Sequence, residues 1–383
     1  MKSKTILKTS EYVNYGHPDI MADCLSNALV DAYIRYDPQA KCGLETLIKN
    51  ETIVFGGELS IREPENCRVN VEGIVKWIIH DLGYTKSNGL DPNSIKVINL
   101  IGKQSREINN MVVREDGDLG AGDQGICWGF STKDTDVGMP LDLYIAKLLI
   151  NKVNNIEGLG PDIKSQVSVE YFENKKVIKN ILISTMHDEK ISLSELRNSL
   201  TILIPEFLKE ENLDQYLDNN TIIKINPFGS FILGGSYADC GVSGRKLVVN
   251  QYGSSCEIGG GSLNTKDPTK VDLSGALACR YMANNVLNAG NFDEVRVNLA
   301  YIIGDPQPSA LRIIIKQGDN TSDLNQEIVQ KLKSHFPITP KQIIDKFDLY
   351  RPIYYNLAKN GYFGNSSYPW EQLDLVEKIK YLF

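Results

Sequence analysis

Between Pro18 and Tyr36 the apolar positions Met21, Cys24, Leu25, Ala28, Leu29, Ala32 and Tyr33 recur at helical spacing, so a helix with one buried face is expected there. Pro18 suits the first helical position, where its missing N–H has no partner to lose. Strand-like runs follow at about 41–48 and 52–60, joined by the turn-like Lys49-Asn50. Val71, Ile74, Val75, Ile78, Ile79 and Leu82 then mark a second helix, with Gly83 as its C-cap. The order recurs. A helix over about 139–153 precedes strands at 166–172 and 176–185, with a hairpin at Glu173-Asn174-Lys175, and a further helix starts near Ser192. It recurs again as a helix over about 269–289 ended by Gly290, strands at 295–304 and 310–317, and a helix starting near Ser322. Corresponding elements lie roughly 120–130 residues apart, the signature of an internal repeat.

This pattern predicts an α/β (α+β) protein of three similar units, divided at about 1–110, 111–233 and 234–383, with the units intertwined. Each unit packs helices on one face of a small antiparallel sheet. Strands such as TIVFGGEL and KNILIST are apolar on both faces, so the free face needs cover from another unit or another chain. An oligomer is the expectation.

The net charge of −7 excludes a general nucleic-acid binder. Any anionic ligand must be held by a local basic cluster, not by the overall field. The seven cysteines are scattered, with no CxxC pair, and read as reduced thiols of a cytoplasmic protein. The start MKSKTILKTSEYVN has no apolar core of a signal peptide, and no run is long enough to span a membrane.

Four segments outside the periodic elements are dense in Gly, Asp, Lys and His: 16–19, 120–125, 226–246 and 259–272. Glycine lets backbone approach a ligand closely, and backbone amides in such turns suit phosphate oxygens. Lys266 and Lys270 stand on a Gly-rich loop leading into a helix, a phosphate-binding context without the P-loop pattern. Each Gly-rich run taken alone also reads as a tight turn. Asp19 and Asp272 open their helices, where a carboxylate serves either as a cap or, with lysines nearby, as a holder of Mg²⁺ on phosphate. His17, between Gly16 and Pro18-Asp19, is either structural or functional.

These segments resemble the S-adenosylmethionine synthetase family. GHPD stands at 16–19, IGKQS at 101–105, GAGDQG at 120–125, DxKSQV at 162–167, DCGxxGRK at 239–246 and GGG…KDPxKVD at 259–272. The motifs come in the family's order, and the resemblance runs from about Thr9 to Trp370. It implies three α/β domains about a pseudo-threefold axis. It also implies a methionine adenosyltransferase, in which methionine's sulfur attacks C5′ of ATP and the expelled triphosphate is split to pyrophosphate and phosphate.

By the same resemblance Lys164, Arg245, Lys246, Lys266 and Lys270 neutralise the triphosphate, and His17 hydrogen-bonds near the departing 5′ oxygen. Asp19 holds Mg²⁺, Asp272 supports a second Mg²⁺ or the hydrolytic step, and Glu45 takes part in a K⁺ site. Glu58 and Gln104 receive the ends of methionine, which Asp239 and Lys270 also face. Asp239, Asp123, Asp162, Phe231 and Ser262 contribute to the nucleotide site. Lys103 to about Gly117 is the family's active-site lid. The assembly implied is a homodimer with shared active sites, extending to a tetramer in some cases, in which residues from 45–123 meet those of 17–19 and 239–272 across the interface.

The chain departs from the pattern at Ile20 for the usual Lys, Ser230 for the usual Arg, and Ser262, Leu263 and Thr265 in the loop GGGSLNTKD. Those departures keep two rivals in view: a same-fold adenosyltransferase or triphosphatase with altered substrate range, and a non-catalytic regulatory partner. The complete cation set argues against the latter.

Overall fold

The structure, a computed structural model, describes residues 5–104, 119–172 and 175–383. Three sheets carry it. In the first, Lys41–Lys49 and Thr52–Ser60 form an antiparallel hairpin, extended by Gly241–Val242 on one edge and by Lys96–Asn99 on the other. In the second, Thr5–Val13, Leu159–Phe172, Lys175–His187 and Ile222–Ile225 lie side by side. In the third, Asn320–Asp323, Ala310–Gln317, Glu294–Tyr301 and Gly125–Thr132 do the same. The units interleave, because the strand Thr5–Val13 closes the second sheet and Gly125–Thr132 closes the third.

The expected repeat is present, with four corrections. The first two sheets are mixed, since Lys96–Asn99 and Ile222–Ile225 add in parallel after helical crossovers. Ser322 lies in a strand, because the turn at Gly318 (φ 58°) brings 320–323 back onto 314–317, and the helix waits for Asn325 to cap Gln326–Lys333. Gly290 remains helical, and Asn291 (φ 54°) takes the left-handed cap of Val271–Gly290. The strand expected to reach 304 ends at Tyr301. The hairpin expected at 173–175 falls partly outside the described residues.

Two helices are buried almost all round, Pro18–Tyr36 and Val271–Gly290, and these hold the site. Helix Val271–Gly290 lies so close to strand Gly125–Thr132 that a Cβ on Gly129 would stand 2.1 Å from the backbone of Cys279. Most of their buried polar groups find partners, as a low dielectric demands, while Asp23 Oδ2 has none among the described residues. The Asp31 carboxylate accepts the backbone N–H groups of Tyr354 and Tyr355, both at 2.9 Å. The fully buried Arg280 donates to the carbonyls of Phe130, Val137 and Gly138 and pairs with Glu371 at 2.7 Å.

In the first sheet Cys42, Leu44, Thr46 and Ile48 point to the helices, which leaves Glu45 and Leu47 on the opposite face. Ile53 and Phe55 likewise point inward and Glu58 outward. Leu47, Ile98, Leu100, Ile126 and Ile222 stay exposed, which agrees with the expectation that these sheets need further cover.

Replacing Glu371 by Ala strands the Arg280 guanidinium in the core. The variant is expected to lose about 3 kcal/mol or more of stability, read as a lowered midpoint in chemical denaturation.

Candidate active site

The start of helix Pro18–Tyr36 builds the first group. His17 is the N-cap, and its Nδ1 accepts from the Asp19 N–H at 3.1 Å, so the ring proton belongs on Nε2. Burial, Lys164 and Lys246 push the His17 pKa down to about 3 against the opposing pull of Asp19 and Asp239. The imidazole is therefore a neutral donor at physiological pH. Asp19 is buried, accepting from the Val242 N–H at 3.0 Å, pairing with Lys246 Nζ at 2.5 Å and standing 3.6 Å from Arg245. Burial works to raise its pKa, yet the Lys246 and Val242 bonds outweigh it and hold the carboxyl below its ordinary range. Asp162 accepts from the Gly235 N–H at 2.8 Å, while its buried Oδ1 has no hydrogen-bond partner among the described residues. Burial pushes its pKa up to about 6 despite that N–H and Lys164. Lys164, on the outward face of Leu159–Phe172, is exposed, and so is Asp239.

A second group stands where loop 259–270 enters helix Val271–Gly290. Asp267 is fully buried and accepts from Cys42 N–H at 2.7 Å, Thr269 Oγ1 at 2.6 Å and Lys270 Nζ at 2.5 Å. Burial would raise its pKa, but Lys270 and Lys41 hold it low. Lys266 pairs with Asp272 at 2.9 Å. The GAGDQG segment packs here too, with the Gly122 N–H on the Thr269 carbonyl at 2.9 Å. Its Asp123 is exposed and accepts the N–H of Gln124 at 2.8 Å.

Glu45 ties the groups together. Its carboxylate accepts from the hydroxyl of Ser243, beside Arg245-Lys246, and from Thr265 Oγ1 at 3.2 Å, beside Lys266. Residues 45 and 122 thus meet loops 243–246 and 265–270 within one chain. Thr265 holds φ 77°, a backbone region that β-branched residues rarely adopt. Its N–H donates to Asn27 at 2.8 Å and its carbonyl accepts from Leu44 N–H at 2.7 Å, contacts that hold it there. The other departures are mild: Ile20 and Leu263 are buried with the core, and Ser230 is exposed. Ser262 accepts from the Asn264 N–H at 3.1 Å.

Glu58 lies beside Gly102 in the register of the first sheet and is exposed. Gln104 bonds the Leu59 carbonyl through its backbone at 3.1 Å, and its Oε1 has no partner among the described residues. Most of the expected lid, residues 105–117, lies outside the described residues. Phe231 is clamped by His187, whose Nε2 accepts from the Phe231 N–H at 3.2 Å.

Sequence reading missed Asp267, Asp23, Ser243 and His187. Asp23 was legible in principle, as a carboxylate one turn after Asp19 on a helix whose other faces are apolar. Asp267 hid inside a lysine-rich motif where only the cations drew notice. Asp23 accepts from the Gly244 N–H at 2.8 Å, and burial pushes its pKa up to about 7.

Comparison with known proteins agrees. Family models described as S-adenosylmethionine synthetase, N-terminal, central and C-terminal domain, match residues 5–106, 118–231 and 233–372. The chain is 40% identical to an S-adenosylmethionine synthase of Helicobacter pylori over 392 aligned positions, covering 99% of each chain. It is 39% identical to one from Sulfurimonas denitrificans, covering 98% of this chain and 96% of that one. Among solved structures, an unusual S-adenosylmethionine synthetase from Campylobacter jejuni superposes with a TM-score of 0.86 at 31% identity, covering 98% of this chain and 99% of that one.

The titrations have a definite sign. His17 binds its proton near 6.5 when unfolded but only near 3 when folded, so it costs stability as pH falls below 6.5. Asp23 ionises near 3.8 when unfolded and near 7 when folded, so its contribution is present below 3.8 and lost as pH rises through 7. Asp23→Asn is expected to raise the melting temperature more at pH 8 than at pH 4.5, as thermal unfolding at the two pH values would show.

Proposed function

The chain belongs to the S-adenosylmethionine synthetase family and is a methionine adenosyltransferase, and on that premise we propose how its own residues divide the work. The reaction joins the sulfur of L-methionine to C5′ of ATP and releases triphosphate, which is then split to pyrophosphate and phosphate. A thioether has no proton to give up, so the first step needs no general base. The barrier lies in charge gathering on the departing polyphosphate, and fixed cations aimed at it are the remedy.

One observation carries this assignment: the lysines of the two loops are held in place by carboxylates, Lys246 on Asp19, Lys266 on Asp272 and Lys270 on Asp267. Lysine is otherwise a flexible point charge, and each pair removes that freedom before substrate arrives. With Arg245 and Lys164 they form the cradle for triphosphate. His17, neutral with its proton on Nε2, donates toward the 5′ oxygen as it departs. Asp162, with a buried oxygen left without a partner among the described residues, takes the nucleoside with Asp123, Phe231, Ser262 and Asp239. Glu58 and Gln104, with Asp239 and Lys270, receive methionine.

The residues fit Mg²⁺ in the manner of phosphate enzymes, where one or two carboxylates hold the ion and substrate oxygens complete it. Among the described residues no cluster of three His, Cys, Asp or Glu forms a protein cage, which such a site does not need. Asp19 and Asp272 would hold it, and bound Mg²⁺ supplies charge neutralisation on the polyphosphate. Glu45 with the Ser243 and Thr265 hydroxyls is an all-oxygen set suited to K⁺. The outward-facing Glu45, Glu58 and Lys164 and the exposed apolar positions of the sheets support a homodimer with shared sites. Free cysteines support a reducing, cytoplasmic setting.

With ATP, methionine, Mg²⁺ and K⁺, the protein is expected to yield S-adenosylmethionine with equal phosphate and pyrophosphate. Lys270→Ala and His17→Ala should each lower adenosylation by about a hundredfold or more, the scale of losing one preorganised charge partner. Near-native turnover in both variants would refute these roles.

A further inference from the structure

Behind the phosphate loops lies a cavity of about 250 Å³ that the reaction does not use. Tyr12, Tyr144, Tyr362 and Phe363 give it flat walls, and Asn151 and Asn250 add amides. It lies in the helix layer of the second unit, not on the free sheet face, because Lys147 of helix Leu141–Val153 sits over the Tyr12 ring at 5.7 Å. One wall, Val249–Gln251, continues the turn that begins at Lys246, whose carbonyl accepts the Asn250 N–H at 3.0 Å.

The feature that calls for a ligand is Lys147. An ammonium group brings three donors. Among the described residues its Nζ has neither a hydrogen bond nor an ion pair within reach, only the ring face of Tyr12. The carboxylate it feels through space, Glu371, is committed to Arg280 and to the Gly364 N–H. Burial accordingly pushes the Lys147 pKa down to about 8, which leaves it mostly charged at neutral pH. The absent side chain of Gly361 opens the gap that this amine faces: a Cβ there would stand 2.9 Å from Lys147 Nζ and 3.0 Å from Tyr12 Oη. Both polar tips therefore converge on one point, with aromatic walls around it.

We propose that this cavity binds a small planar carboxylate, its anionic end on Lys147 and Tyr12 Oη and its flat body between the tyrosine and phenylalanine rings. An anion there gains charge-assisted hydrogen bonds from the Lys147 ammonium, whereas a cation would be repelled and a neutral amide would gain only an ordinary hydrogen bond. The volume suits a single-ring acid and is too small for a nucleotide.

Benzoate is the probe, titrated into the full-length protein by calorimetry, with benzamide as the neutral control of the same shape. Saturable benzoate binding is expected, with benzamide about tenfold weaker or worse. Lys147→Met should abolish most of the benzoate binding. The same variant should leave adenosylation without benzoate unchanged, which separates this cavity from the phosphate site and shows that the fold is intact. Absence of saturable benzoate binding, equal affinity for benzamide, or undiminished binding by Lys147→Met would each overturn the proposal. Should Lys147→Met prove unfolded, Tyr12→Phe serves in its place, with weakened benzoate binding expected and unchanged binding contradicting it.

Discussion

A carboxylate buried beneath a mobile cation is the constraint on which the site depends. Asp19 and Asp267 are almost wholly buried, so each must find charged or N–H partners or give up its own charge. Both keep it, because Lys246 and Lys270 come to them along with backbone donors from Val242 and Cys42. The same bonds that satisfy the acids fix the lysines, and these lysines give a local set of positioned cations in a protein of net charge −7. Glu45 then joins the two loops that carry them, through the hydroxyls of Ser243 and Thr265.

Thr265 shows what this joining costs locally. A β-branched residue at φ 77° is strained by roughly 1–3 kcal/mol, and such strain persists only where surrounding contacts over-determine it. Here those contacts are Asn27 on its N–H, Leu44 on its carbonyl and Glu45 on its hydroxyl.

The helices and hairpins were legible because their apolar spacing is regular, as for Pro18–Tyr36, whose bounds match the periodic stretch. The motifs were legible because glycine, lysine and aspartate cluster outside that spacing. What could not be read was set by distant pairing. Thr5–Val13 and Gly125–Thr132 belong to sheets built mainly by other parts of the chain, and nothing local announces that. Residues 320–323 carry a helix-like start signal that ladder bonds to Ala310–Gln317 override. In the site, the cations were foreseen, but Asp267, which anchors Lys270, and the buried Asp23, which takes the Gly244 N–H, were not, since an acid's worth here comes from burial, which composition does not reveal.

The central claim is that positioning of the cations, more than their charge alone, drives the expulsion of triphosphate. The most direct test is the adenosylation rate of Asp267→Asn, which keeps the acceptor oxygen and Lys270 but removes the anchoring charge. Positioning predicts that the rate falls about tenfold or more while the protein gains a unit of positive charge and keeps its fold. An unchanged or faster rate in the folded variant would contradict the account.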